Sequence, residues 1–272
     1  MNRILIRVVG APLLLGALAL CLYLDRQARF PAAIAVVLAL FAAVSIHELC
    51  SMARLKAMRP AEAVAIVAVL LSYMPFLGID ASWLSLQAMA LAATVAVLLL
   101  LVIRYRDFTP LDAGYTMFAL GYVSLLQFVL LGAPKEPAGR MLWLLFLLAS
   151  NKGSDMAAYV AGKLAGRHKL APSISPNKTW EGAIAGLVGG TLLGAWALAG
   201  LKETGPHALI LGIALAVTVA AQMGDLVKSA VKRWAGVKDS GRLLPEFGGA
   251  LDMVDSFILS APVAAILTDR LL

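Results

Sequence analysis

The sequence predicts an all-α, polytopic membrane protein with about nine transmembrane helices, and three observations predict it. First, the 272 residues are 61% hydrophobic and only 14% charged, with a mean hydropathy of +0.86. A soluble domain is roughly half apolar and about a quarter charged, so lipid has to solvate the excess. Second, apolar stretches recur almost from end to end, at the length of about 20 residues that a helix needs to cross roughly 30 Å of hydrocarbon. Third, lysine and arginine gather in alternate breaks between those stretches, as they do in cytoplasmic loops.

The expected spans lie near residues 4–23, 31–49, 61–79, 83–103, 112–133, 140–162, 182–200, 206–232 and 251–270. The first follows Arg3 and Arg7 as a secretory h-region would, but its apolar run to Tyr23 is too long for one, so it reads as a retained helix. The next four are set by apolar length and closed by polar breaks. The sixth is interrupted by Ser150, Asn151, Lys152, Gly153, Ser154 and Asp155. Ser175 followed by Pro176 reads as a helix start for the seventh, with the hydroxyl as N-cap and proline at the first helical position. The eighth is apolar from Ala208 to Ala221 and then continues with helical spacing into charged residues, which implies a helix that protrudes into water. The ninth opens on Leu251 and Asp252.

One membrane domain over residues 1–272 is expected, with residues 1–140 facing lipid or forming a dimer and residues 141–272 carrying the chemistry. Cys21 and Cys50 lie in or beside apolar runs and suggest neither a disulfide nor a metal motif. His47, His168 and His207 match no zinc spacing. The net charge of +7 sits in short loops, which points to anionic lipid or an anionic substrate and not to nucleic acid. Sixteen basic residues share a side with the N-terminus and six fall on the other, so the N-terminus and the segments 163–181 and 225–250 are expected in the cytoplasm.

Four segments carry chemistry-bearing residues, and each has two readings. Gln222, Asp225, Ser229 and Lys232 share one helical face, suited to a metal and phosphate oxygens, or to a solvated helix end. Gly248 and Gly249 precede the last helix, whose free N–H groups suit a phosphate. Asp252 and Asp255 face one way and could jointly hold Mg²⁺ or merely cap that helix. Lys152 and Asp155 either neutralise each other or face a cavity, since an ionised group at bilayer depth costs on the order of 3 kcal/mol. The Ser175–Gly182 stretch brings Lys178 and helix N–H groups to one spot, as a phosphate site or an ordinary cap. Gly162, Gly166, Gly186, Gly189 and Gly190 are read as helix-packing residues.

The run Ser229, Lys232, Arg233, Lys238, Asp239, Gly241, Pro245, Gly248, Gly249, Asp252 and Asp255 resembles the signature of the phosphatidate cytidylyltransferase (CDP-diacylglycerol synthase) family. Gly224-Asp225-Leu226, the stretch 175–182, and Asp155 with Ala158 and Tyr159 are similar to that family as well. Phe247 stands where the family usually has histidine, Met253 where it usually has arginine, Ala250 replaces a larger aliphatic residue and Glu246 a frequent glycine. Losing the arginine removes a fork for phosphate oxygens, a role left to Arg233, Lys238 or Arg242.

The resemblance implies transfer of a cytidylyl group from CTP to phosphatidate, giving CDP-diacylglycerol and pyrophosphate, in a homodimer. It implies that Asp225, Asp252 and Asp255 hold Mg²⁺, alone or with a second cation, while Lys232, Arg233, Lys238 and Lys178 neutralise phosphates. Ser175, Asn177, Ser229, Asp239, Gly248, Gly249 and Asp155 are the further substrate-binding residues. A CTP-dependent polyprenol kinase and an ion-coupled transporter using Lys152 and Asp155 are the alternatives.

Overall fold

The computed structural model describes residues 20–21, 23–25, 31–79, 86–201, 206–241 and 248–271. Most of the expected first span, and with it Arg3, Arg7, Arg242, Glu246 and Phe247, lies outside the described residues. The described chain is overwhelmingly helical and forms two compact units, residues 1–124 with 234–254, and residues 125–233 with 255–272.

The first unit holds α1 (Ala32–Arg54), α2 (Glu62–Ser72), α3 (Leu86–Ile103) and α4 (Pro110–Ser124). Its helix ends are closed by carboxylates. Asp25 accepts the N–H groups of Ala33 at 2.9 Å and Ile34 at 3.0 Å, which completes the start of α1 where Pro31 offers no side-chain cap. At α4, Thr109 and Asp112 form a reciprocal capping box, with Thr109 N–H donating to Asp112 at 2.7 Å and Asp112 N–H to the Thr109 hydroxyl at 3.3 Å. Asp112 also accepts the Arg59 N–H at 2.6 Å and so ties the α1–α2 connection to α4.

The expected span 61–79 is not one helix. α2 ends at Ser72 and a 3-10 turn, Met74–Leu77, follows. Pro75 is the reason, since its ring disfavours the helical conformation of the residue before it and it has no N–H to give. The 11 residues of α2 rise only about 16 Å.

In the second unit the path from α4 continues through a 3-10 turn at Leu125–Gln127 into α5 (Phe128–Leu131), then α6 (Pro137–Ala165). Next come strands β1 (Lys169–Ala171) and β2 (Ser175–Thr179), and α7 (Trp180–Leu201). α8 (His207–Ala235) and α9 (Ala250–Leu271) complete the chain, and their facing ends, Trp234–Ala235 and Ala250–Val254, fall in the first unit.

The hairpin corrects the purely helical expectation for 175–182. β1 and β2 pair antiparallel, with Lys169 opposite Thr179 and Ala171 opposite Ser175. Proline pushes the residue before it toward extended backbone, and a two-stranded ribbon is all edge, so the missing N–H of Pro176 costs little. The helix therefore starts later, and its N-cap is Thr179, whose Oγ1 accepts the Gly182 N–H at 3.1 Å, and not Ser175.

α6 and α7 pack closely along a stripe of glycines, as expected. A Cβ on Gly182, Gly186 or Gly190 would stand 2.8, 2.9 or 2.6 Å from the carbonyl oxygens of Ala158, Ser154 and Ser150 respectively. One series ascends as the other descends, so the two helices run antiparallel with their backbones in contact. Nearer the start of α6, Trp143 is fully buried and donates its indole N–H to the Val129 carbonyl at 2.8 Å. Asn151 and Ser260 are also fully buried and satisfy each other at 3.0 Å.

Among the described residues, five helices are long and apolar enough to cross a membrane: α1, the Pro110–Leu131 stretch, α7, α8 and α9. The other expected spans that fall among the described residues do not reach that mark, for separate reasons. α2 and the Ala90–Ile103 part of α3 are apolar but shorter, and α6 is interrupted by Asn151, Lys152 and Asp155.

Candidate functional site

A buried cluster of alternating charge lies in the second unit. Asp225 and Lys228 stand one turn apart on α8, with Lys228 Nζ 3.0 Å from Asp225 Oδ1. The same ammonium pairs with Asp255 of α9, and Asp225 pairs on its other side with Lys178 of β2. Lys228 is 7% exposed and Asp255 4%, so these charges are held by one another more than by water. Gly224 makes the approach possible, because a Cβ there would stand 2.6 Å from the Asp255 carbonyl oxygen.

A cavity of about 460 Å³ opens beside this cluster. Asp225, Lys178, Asn177, Asp155, Tyr159 and Gln222 are among the residues lining it. Gln222 is fixed by two hydrogen bonds from Nε2, to the Ser154 hydroxyl and the Ala183 carbonyl, each 3.0 Å. Asp155 satisfies both of its readings, since it pairs with Lys152 at 3.2 Å and also borders the cavity. The cavity thus presents cationic, anionic, amide and aromatic groups together, a set suited to a phosphorylated ligand with a polar ring.

Asp252 belongs to the first unit, where it is half-buried. Its Oδ2 accepts the Ser240 N–H at 3.1 Å, lies 3.0 Å from the Ser240 hydroxyl, and accepts the Gly249 N–H at 3.3 Å. The last contact is the return half of a capping box. Gly248 has φ +85°, and a Cβ there would stand 2.8 Å from Asp252 Oδ2, so conformation and space both call for glycine. The N–H groups that open α9 already have an anion. Glu48 of α1 accepts Ala250 N–H at 2.8 Å and Leu251 N–H at 3.0 Å.

The remaining expected residues are more dispersed. Ser229 and Lys232 are half-buried on α8. Arg233 is exposed and donates from Nε to the Ile174 carbonyl at 3.0 Å, which holds the hairpin turn. Lys238 and Asp239 are exposed, Ser175 is half-buried in β2, and Met253 is half-buried in the first turn of α9.

Sequence reasoning passed over Lys228 and Glu48. Both gave a signal. Lys228 follows Asp225 by three residues, and Glu48 is an acid inside an apolar span, which is a functional-site marker by default. Among the described residues there is no group of three or more His, Cys, Asp or Glu side chains that could hold a metal. Asp225 and Asp255 do converge on one cation, the Lys228 ammonium. Mg²⁺ takes one or two protein carboxylates, so the two acids fit it in kind, at the place where the Lys228 ammonium stands between them.

The model of the cytidylyltransferase family matches residues 2–271. A phosphatidate cytidylyltransferase of Staphylococcus saprophyticus is 33% identical over 231 residues, 84% of this chain and 86% of that protein. One of Staphylococcus haemolyticus is 33% identical over 230 residues, with the same coverage of 84% and 86%. One of Mycobacterium leprae is 43% identical over 158 residues, 56% of this chain and 48% of that protein.

Proposed function

Because this chain belongs to the cytidylyltransferase family, we propose that its buried Asp225, Lys228, Asp255 and Lys178 cluster is the seat of the family's chemistry. The protein is an integral membrane enzyme, a phosphatidate cytidylyltransferase. It transfers a cytidylyl group from CTP to phosphatidate, giving CDP-diacylglycerol and pyrophosphate.

The observation that carries the assignment of the site is the convergence of two carboxylates and two ammonium groups beside a cavity into which polar side chains project. In the reaction a phosphate oxygen of phosphatidate forms a bond to the α-phosphorus of CTP, and the bond from that phosphorus to the β-phosphate bridge breaks. The attacking oxygen is already anionic, so no strong general base is needed. Positioning and charge neutralisation carry the rate, as in other phosphoryl transfers. Lys178, at the cavity edge, neutralises phosphate oxygens, and Asn177 and Gln222 orient the nucleotide. Lys232 and Arg233 receive the charge of the departing pyrophosphate, and Ser175 and Ser229 donate to phosphate oxygens. Asp225 and Asp255 would hold Mg²⁺, and the ion supplies charge neutralisation when bound; the resemblance also gives Asp252 a part in the reaction. The acyl chains stay in the bilayer while CTP arrives from the cytoplasm, the side on which lysine and arginine place the N-terminus and the hairpin.

The test is direct. Protein purified in detergent, given labelled CTP, Mg²⁺ and phosphatidate, is expected to make cytidine lipid-linked and to release pyrophosphate. Release of CDP with a newly phosphorylated lipid alcohol would instead support the lipid kinase reading.

A further inference from the structure

We propose that Glu48, on a helix far in sequence from the signature, is a positioning residue for Asp252. The inference rests on the reading of Asp252 as a residue of the reaction. Glu48 is 4% exposed, too enclosed to reach a substrate itself. Its carboxylate accepts the N–H groups of Ala250 and Leu251 at 2.8 and 3.0 Å and the Ser240 hydroxyl at 2.8 Å. An ionised acceptor makes each of these bonds stronger than a neutral one does, and the helix dipole adds to it.

The same Ser240 hydroxyl lies 3.0 Å from Asp252 Oδ2. A serine has one hydroxyl proton to donate, so the two carboxylates compete for it. When Glu48 takes it, Asp252 keeps the Ser240 and Gly249 N–H bonds, which fix its direction. Gly249 supports this arrangement by its size. A side chain there would displace Glu48 or the Ser240 hydroxyl. Glu48 therefore pins the turn that carries Asp252 at two points, through the N–H groups that open α9 and through the Ser240 hydroxyl.

The full-length protein in detergent tests this with Glu48→Gln, Glu48→Asp, Ser240→Ala and, as reference, Asp252→Asn. Four readouts matter: kcat, KM for CTP, Mn²⁺ affinity of the substrate-free protein by paramagnetic resonance, and the thermal midpoint. Glu48→Gln is expected to lower kcat and Mn²⁺ affinity by about 10- to 100-fold, the usual effect of losing an outer-shell partner. KM for CTP should change little, and Glu48→Asp should recover part of the loss. Glu48→Gln that melts earlier but keeps wild-type kcat and Mn²⁺ affinity overturns the proposal, because the role is then only structural. If Glu48→Gln does not fold, Ser240→Ala decides: a loss in both readouts supports the proposal and wild-type values overturn it. A fully active Asp252→Asn removes the reading beneath the inference. An inactive Asp252→Asn beside a wild-type-like Glu48→Gln removes the inference alone.

Discussion

Lys228 shows how far a single side chain sets the chemistry of its neighbours. It holds two carboxylates that could not otherwise share so enclosed a space, Asp225 at 3.0 Å and Asp255 beside it. Removing one member of a buried ion pair costs about 3–5 kcal/mol, because the remaining charge stays desolvated. Lys228→Met is therefore expected to lower the thermal midpoint markedly and to abolish turnover. If the two acids can hold a divalent cation, Mg²⁺ should raise the midpoint of Lys228→Met more than that of the wild type. Equal responses in a thermal melt would count against a metal role for this pair. The residues themselves were unevenly legible in the sequence. Asp225, Asp255 and Lys178 announced themselves by type and spacing, and the structure brings all three together. Glu48 was legible only as an acid inside an apolar span, because its partner Ser240 is 192 positions away and no local periodicity reports a contact of that range.

At the scale of elements, the helices follow apolar length closely and depart from it where a backbone rule intervenes. The span expected at 206–232 is found at His207–Ala235, and 251–270 at Ala250–Leu271. The helix expected at 61–79 stops at Ser72 because Pro75 follows, and the helix expected from Ser175 starts at Trp180 because Pro176 favours a strand. The seryl-prolyl pair is ambiguous in sequence, since the same restriction on backbone angles serves a helix start and an extended edge. The glycine stripe between α6 and α7 yields a paired prediction. Gly190→Ala would place a methyl 2.6 Å from the Ser150 carbonyl oxygen, and such overpacking is expected to cost about 1–3 kcal/mol. Gly212 on α8 has nothing within 4 Å of a built Cβ. Gly212→Ala is expected to be neutral or to stabilise by up to about 1 kcal/mol, through helix propensity alone. Thermal midpoints of the two variants, measured in one detergent, compare them.

For the whole molecule, what reads from sequence is the solvent. Composition and span length call for lipid, and the five helices among the described residues that are long enough to cross it agree with the family to which the chain belongs. Sidedness rests on charge asymmetry. With Cys21 and Cys50 replaced by alanine, single cysteines at Lys169 in the hairpin and at Lys238 are expected to react with a membrane-impermeant maleimide only from the cytoplasmic side. Labelling of either in intact cells would reverse the orientation. A homodimer, the assembly that the family resemblance implies, is expected to appear as twice the chain mass of 28.6 kDa in native mass spectrometry from detergent.

The seat of Glu48 also has a consequence for biogenesis. Its acceptors are filled by Ser240, Ala250 and Leu251, which the ribosome makes about two hundred codons later. A nascent chain arrested before α9 emerges therefore holds the Glu48 carboxylate without the three donors that satisfy it in the finished fold.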